Sequence, residues 1–220
     1  GVDPRWVGQI AAFDRCAHAR MIASTTVRRK RACAPRLCDT VTMALTATVR
    51  RFELTLADSD RGVYETLDLR VAQHPSESDR YLVARMIARA LEHAEGVDFS
   101  RGLAVDDEPA LWQRDLRGDL QAWIEIGLPA ADRLHRASKA CRRVVVYGWR
   151  NLVALAEELR ERKTHRVEEI ELYALDAEFL DAAATTLEKT NRWELSVTGG
   201  SLYLGAGGKS FEGAVTRVAG

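Results

Sequence analysis

The sequence predicts an α/β protein with a mixed β-sheet and flanking helices, and three observations carry that expectation. Two strand-like segments, 45–57 and 63–72, are joined by the turn-rich link Asp58-Ser59-Asp60-Arg61-Gly62, as in a hairpin. Strand and helix patterns then alternate through the middle of the chain. The C-terminus, WELSVTGGSLYLGAGGKSFEGAVTRVA, reads as two or three antiparallel strands with Gly-rich turns. Hairpins on either side of strand–helix–strand units make the sheet mixed.

The elements follow in order. In 45–57, Ala47 and Val49 fall on odd positions but Phe52, Leu54 and Leu56 on even ones, which predicts a bulge near Arg50-Arg51. The segment 63–72 alternates through Val63, Leu67, Leu69 and Val71. A helix follows, with Ser76 as its start, Asp79 in a capping-box place and Gly96 as its end. Val83, Met86, Ile87, Ala90, Leu91 and Ala94 form its apolar stripe. Further on, 131–142, 151–163 and 177–189 read as helices, the last capped by Asp176, while RRVVVYGW and 166–174 read as strands. GAGGK lies between strands with no helix after it, so it reads as a turn and not as a phosphate loop.

Composition is that of an ordinary soluble globular protein, 46% hydrophobic and 29% charged over 220 residues. No apolar run approaches the roughly 18 residues of a membrane span. The net charge of zero hides an asymmetry: residues 1–42 carry eight Lys/Arg against three Asp, and the remainder 24 against 29 acids. That preface has no sustained period and lacks the long apolar stretch and cleavage site of a targeting peptide. Its cluster Arg28-Arg29-Lys30-Arg31 suits a nucleic-acid contact. The plainer expectation is an upstream extension or start-site artefact, with one folded domain over 43–220. One cysteine in that domain, Cys141, argues against a disulfide framework, and no metal spacing such as C-x-x-C occurs.

The stretch DDEPALWQRDLRGDLQAWIEIG, residues 106–127, holds the chemistry of interest. By parity, Leu120, Ala122, Ile124 and Ile126 point one way, and Gln121, Trp123 and Glu125 the other. A carboxylate beside a tryptophan must be paired, hydrogen-bonded or bound to a cation. The plain expectation is an ion pair to the next helix, where Arg133, Arg136 and Arg142 are available. The sharper one gathers Glu77, an acid from Asp106, Asp107 and Glu108, then Glu125 and Lys139 around Mg²⁺, a hard ion that takes a few carboxylates and substrate phosphates.

HPSE at 74–77, RGLAVDDEPALW at 101–112, WIEIGLP at 123–129 and KACRRVVVY at 139–147 closely resemble the YaeQ family of small bacterial proteins, from Met43 to about Val218. That family is similar in fold to the PD-(D/E)XK nuclease superfamily. The resemblance implies a restriction-endonuclease-like core with added N- and C-terminal antiparallel strands. It also implies Glu77 as the first-helix glutamate, Glu125 as the acid of the motif strand, and a lysine shifted from position 127 to Lys139. Asp107 or Glu108 would complete a site for Mg²⁺ or Mn²⁺, since Ala110 stands where the superfamily has aspartate. The expected activity is Mg²⁺-dependent phosphodiester hydrolysis of nucleic acid. Its alternative is an inactive nuclease-like module that binds nucleic acid or a protein partner. Arg133, Arg136 and Arg142 are the expected nucleic-acid contacts, with a cytoplasmic location, no membrane association and no organic cofactor.

Overall fold

The computed structural model describes residues 47–100 and 108–218. The extension expected over residues 1–42, the strand-like run 102–105 and the acids Asp106 and Asp107 lie outside those residues. Strands β1 (Thr48–Asp58) and β2 (Val63–Gln73) pair antiparallel without a break from Thr48↔Gln73 to Asp58↔Val63. The expected bulge at Arg50-Arg51 is absent. Val49 is simply exposed, so the early residues need no parity match to buried Phe52, Leu54 and Leu56. The turn is fixed by buried Asp58, whose carboxylate accepts the N–H of Asp60 and of Arg61 and pairs with Arg61 Nε at 2.7 Å. Arg61 in turn donates to the carbonyls of Ala90 and His93, satisfying the end of the first helix.

That helix, α1, spans Asp79–Leu91. Its N-cap is Ser78, not Ser76, with the hydroxyl accepting Tyr81 N–H. It stops at Leu91, short of Gly96, which instead takes φ +79° in the turn that follows. A Cβ there would lie 1.8 Å from the Arg114 carbonyl oxygen, so only glycine fits. Strands β3 (Val97–Phe99), β4 (Leu111–Arg114) and β5 (Leu120–Ile126) then form an antiparallel meander.

The parallel portion follows as α2 (Ala131–Ala140), β6 (Arg143–Gly148), α3 (Leu152–Glu161), a 3₁₀ turn at Val167–Glu169 and β7 (Ile170–Leu175). Helix α4 (Ala177–Ala184) is capped by Asp176, as expected, but ends before the expected 189. Strands β8 (Thr190–Thr198), β9 (Ser201–Ala206) and β10 (Lys209–Arg217) close the chain, and Gly207-Gly208 turn between the last two with positive φ.

All ten strands join one mixed sheet in the order β2-β1-β8-β9-β10-β7-β6-β5-β4-β3. Helices α2 and α3 pack on one face, where Leu134, Val144, Val146, Leu155 and Leu159 form a core. The other face holds α1 and α4. There one core joins residues from strands far apart in the sheet, including Phe52 and Val71 at one end and Leu111 and Ile124 at the other. Helix α1 is buried on every side from Leu82 to Ala90. Each of its Leu, Ile and Met side chains taken out of water contributes about 1.5–3 kcal/mol. Arg85 touches both ends of the sheet, donating to the Ala72 carbonyl of β2 at 2.9 Å and lying 5.4 Å from the Phe99 ring of β3. The sheet therefore curls around α1 until its two edges nearly meet.

Candidate functional site

Strand β5 obeys the parity read from its sequence. Ala122, Ile124 and Ile126 enter the α1 core, and Trp123 packs on the α2–α3 side. Glu125 follows Trp123 and is buried, 4% exposed. Its Oε1 accepts the Trp123 indole N–H and the Arg133 Nε–H, each at 2.6 Å. Arg133 arrives in the first turn of α2, after Gly127 turns the chain with φ +86° and Pro129 leads into the helix. The same guanidinium donates to the Glu108 carbonyl, which ties α2 to the segment entering β4. Burial pushes the Glu125 carboxyl above the ordinary glutamate range, and Arg133 and Trp123 only partly offset that.

Glu77 sits just ahead of α1 with its side chain fully enclosed. Oε2 accepts His74 N–H at 3.2 Å, while Oε1 lies 3.3 Å from Arg85 Nη1 and has no hydrogen-bond partner. Burial raises this carboxyl too, against the pull of Arg85 and of the His74 N–H. One turn along α1, Tyr81 stands between the two acid–arginine pairs. Burial pushes its phenol up to about 12; the Glu125 and Glu77 charges add to the rise, and Arg85 and Arg133 oppose it. Both pairs therefore act on one phenol at the carboxyl end of β5. The Trp149 ring, just past β6, meets Tyr81 edge-on at 6.5 Å. A Cβ on Gly127 would lie 3.6 Å from that indole, so the glycine leaves the rings close to the strand ends.

The other expected site residues lie elsewhere. Lys139 is exposed in the last turn of α2, six residues or about 9 Å of helix beyond Arg133. Cys141, two residues later, approaches the Leu120 carbonyl at 3.8 Å, so this end of α2 lies by the start of β5 and not by Glu125. Among the described residues, Lys139 is thus not brought to Glu125. Arg136 and Arg142 are exposed, Arg142 past the far end of α2. Arg133, one of the three expected nucleic-acid contacts, is the arginine seen bonded to Glu125. Glu108 is half-buried beside it. Ala110 is buried, and extending the pairing Trp112↔Trp123, Leu111↔Ile124 by one step sets it across from Glu125.

The described residues do not fit a resident Mg²⁺. Such an ion needs carboxylate oxygens free to coordinate it, whereas Glu125 Oε1 already serves two donors and Glu77 faces a guanidinium. Among the described residues, no three His, Cys, Asp or Glu side chains gather as a metal-binding group. Tyr81, Arg85 and Trp149 went unread in the sequence. The four-residue spacing of Tyr81 and Arg85 is the signal that places those two on one helix line, with Glu77 four residues earlier just ahead of the helix.

The YaeQ protein family model matches residues 43–215. This chain belongs to the YaeQ family. The uncharacterized protein YaeQ of Escherichia coli (strain K12) is 28% identical over 163 residues, covering 74% of this chain and 90% of the relative. Its counterpart in Salmonella typhi is 27% identical over the same shares. The crystal structure of YaeQ from Xanthomonas axonopodis pv. citri superposes with a TM-score of 0.72 at 34% identity, covering 78% of this chain and 98% of that one. The YaeQ structure from Pseudomonas syringae gives 0.73 at 29% identity, covering 79% and 97%. The YaeQ fold thus carries the mixed sheet and four helices described above. No helix among the described residues is long and apolar enough to cross a membrane.

Proposed function

We propose that this YaeQ-family protein is a nuclease-like module that binds nucleic acid at the carboxyl ends of β5 and β6 without cutting it. The observation that carries this reading is the pairing of Glu125 with Arg133 at 2.6 Å. An internal cation stands where a hydrolase would need a free carboxylate, Ala110 removes a second acid, and Lys139 is remote. What remains is suited to holding a strand. Tyr81 and Trp149 supply ring surface, and exposed Arg150 supplies charge beside it. Ligands of α/β sheets gather outside the carboxyl ends of parallel strands, where these groups stand.

The test is fluorescence anisotropy of a labelled single-stranded oligonucleotide in EDTA, then a gel assay in 10 mM Mg²⁺ and Mn²⁺. Binding that weakens with salt, with the strand left intact, is the expected result. No binding in EDTA at low salt would refute the module. Cleaved product in either metal would overturn this reading in favour of metal-dependent phosphodiester hydrolysis.

A further inference from the structure

Helix α1 carries a second pattern beneath its apolar one. Tyr81, Arg85 and Arg89 recur at every fourth residue and share one line along the helix, with Glu77 just ahead of it and His93 just past it continuing the spacing. The line runs inside the protein, with Arg85 2% and Arg89 7% exposed. It faces the gap where the sheet fails to close. Arg85 spans that gap from the Ala72 carbonyl of β2 to the Phe99 ring of β3. Asp98 of β3 acts on Arg89, and Glu65 of β2 acts on His93.

The charge along this line does not balance. Arg85 has Glu77 at 3.3 Å. Arg89 has no carboxylate within ion-pair distance among the described residues; its Nη1 meets only His93 Nδ1, at 3.1 Å. The Nε atoms of Arg85 and Arg89 are both buried without a hydrogen-bond partner. An arginine cannot shed its proton inside a protein. A buried guanidinium with no close ion pair, as Arg89 is with only the more distant Asp98 acting on it, therefore bears most of its desolvation cost.

We propose that Arg85 and Arg89 form a seat for a phosphoryl group, which enters between β2 and β3 and takes the two Nε–H donors. The two side chains leave the helix about 5–6 Å apart. A tetrahedral oxyanion spans such a pair because its oxygens point in different directions. The seat lies beyond the strand-end surface proposed above and does not depend on it. The phosphoryl group is either free phosphate or the terminal phosphate of a nucleic-acid strand.

The experiment compares thermal midpoints in phosphate and in chloride at matched ionic strength, for the wild type, Arg89→Met and Arg89→Lys. The wild-type midpoint should rise by about 3–6 °C when inorganic phosphate reaches ten times its dissociation constant. Arg89→Met should be at least as stable as wild type in chloride and lose the phosphate response, while Arg89→Lys keeps part of it. A wild-type midpoint no higher in phosphate than in chloride, or a phosphate response retained by Arg89→Met, overturns the seat. Should Arg89→Met fail to fold, broadening of the phosphate ³¹P resonance by wild-type protein decides the matter, and an unbroadened line overturns the proposal. Oligothymidylate with and without a 5′-phosphate identifies the source: tighter binding of the phosphorylated strand assigns the seat to strand ends, equal binding to free phosphate. Oligonucleotide binding without any phosphate response would sink the seat and leave the strand-end surface standing.

Discussion

Arg133 Nε lies 2.6 Å from Glu125 Oε1, and the Trp123 indole N–H reaches the same oxygen at the same distance. One carboxylate thereby fixes the first turn of α2 to β5. Removing one partner of such a pair strands a buried charge, whereas replacing both with apolar groups is often neutral. Glu125 is almost enclosed and Arg133 is 23% exposed at its side chain. Arg133→Ala is therefore expected to cost about 3 kcal/mol, the low end for a buried pair. For a domain of this size that lowers the melting midpoint by about 6–12 °C. Glu125→Leu with Arg133→Met should recover most of the loss in the same melting experiment.

The same pairing sets the expectation for Glu125→Gln. A carboxylate crowded by other acids gains from losing its charge, but this one faces an arginine. Because burial already raises this carboxyl against the pull of Arg133, Glu125→Gln should change the midpoint by less than Arg133→Ala does. A loss as large as that of Arg133→Ala would mean that attraction to Arg133, and not the cost of burying the charge, dominates at this carboxylate.

Glu77 sets a pH dependence whose sign can be worked out. Its carboxyl is raised in the folded state by burial, ahead of the opposing effects of Arg85 and His74 N–H. A group with a raised folded pKa binds its proton more readily in the folded chain than in the unfolded one. Its contribution is then fully present below the unfolded pKa and is lost as pH rises through the folded one. The stability difference between wild type and Glu77→Gln should thus favour wild type most at acid pH. It should decline across a window that begins in the ordinary glutamate range and extends above it. Midpoints measured from pH 4 to 8 check this, and a difference that grows with pH would contradict it.

Ala110 gives a direct test of the nuclease-like frame. It is buried across from Glu125 by extension of the β4–β5 register. Ala110→Asp places a second carboxylate beside the first, and the crowded pair should lower stability in EDTA. If the frame is right, millimolar Mg²⁺ or Mn²⁺ should restore the variant's midpoint while leaving wild type unchanged, since a ligand stabilises only what it binds. Equal metal responses in the two proteins would show that position 110 is not part of an ion site.

Much of this fold was legible in the sequence, for reasons that differ by element. The face assignment of β5 followed from a strict period of two between Leu120 and Ile126, and β6 from an unbroken apolar run. The ion pair of Glu125 with Arg133 was legible as one of three arginine options, because a carboxylate beside Trp123 needed a partner. Strand β4 was not legible. It has only four residues, two of them half-buried, and its partner lies across the Asp115–Asp119 turn. The site's centre was missed for another reason. Tyr81 and Arg85 sit on a helix whose apolar stripe explained its fold, so nothing local required its polar line to be buried as well. That burial comes from the curl of the sheet, a long-range feature that brings β2 and β3 to the same helix.

The strand-end surface makes one more claim that a single variant decides. Trp149 is half-buried, packed edge-on to Tyr81 and close to Gly127, so its indole is held in place before any ligand arrives. A base stacked on an aromatic ring is worth about 1–3 kcal/mol, which at the lower end is about a fivefold change in affinity. Trp149→Ala should therefore weaken single-stranded oligonucleotide binding about fivefold or more, and Trp149→Phe should keep most of it because the ring face remains. Arg150→Ala should act differently. It removes a charge and no ring, so it should weaken binding and reduce the salt dependence by about one phosphate contact. Anisotropy titrations at several salt concentrations separate the two effects. Equal affinity for Trp149→Ala and wild type would remove the stacking surface from the proposal, whatever Arg150→Ala does.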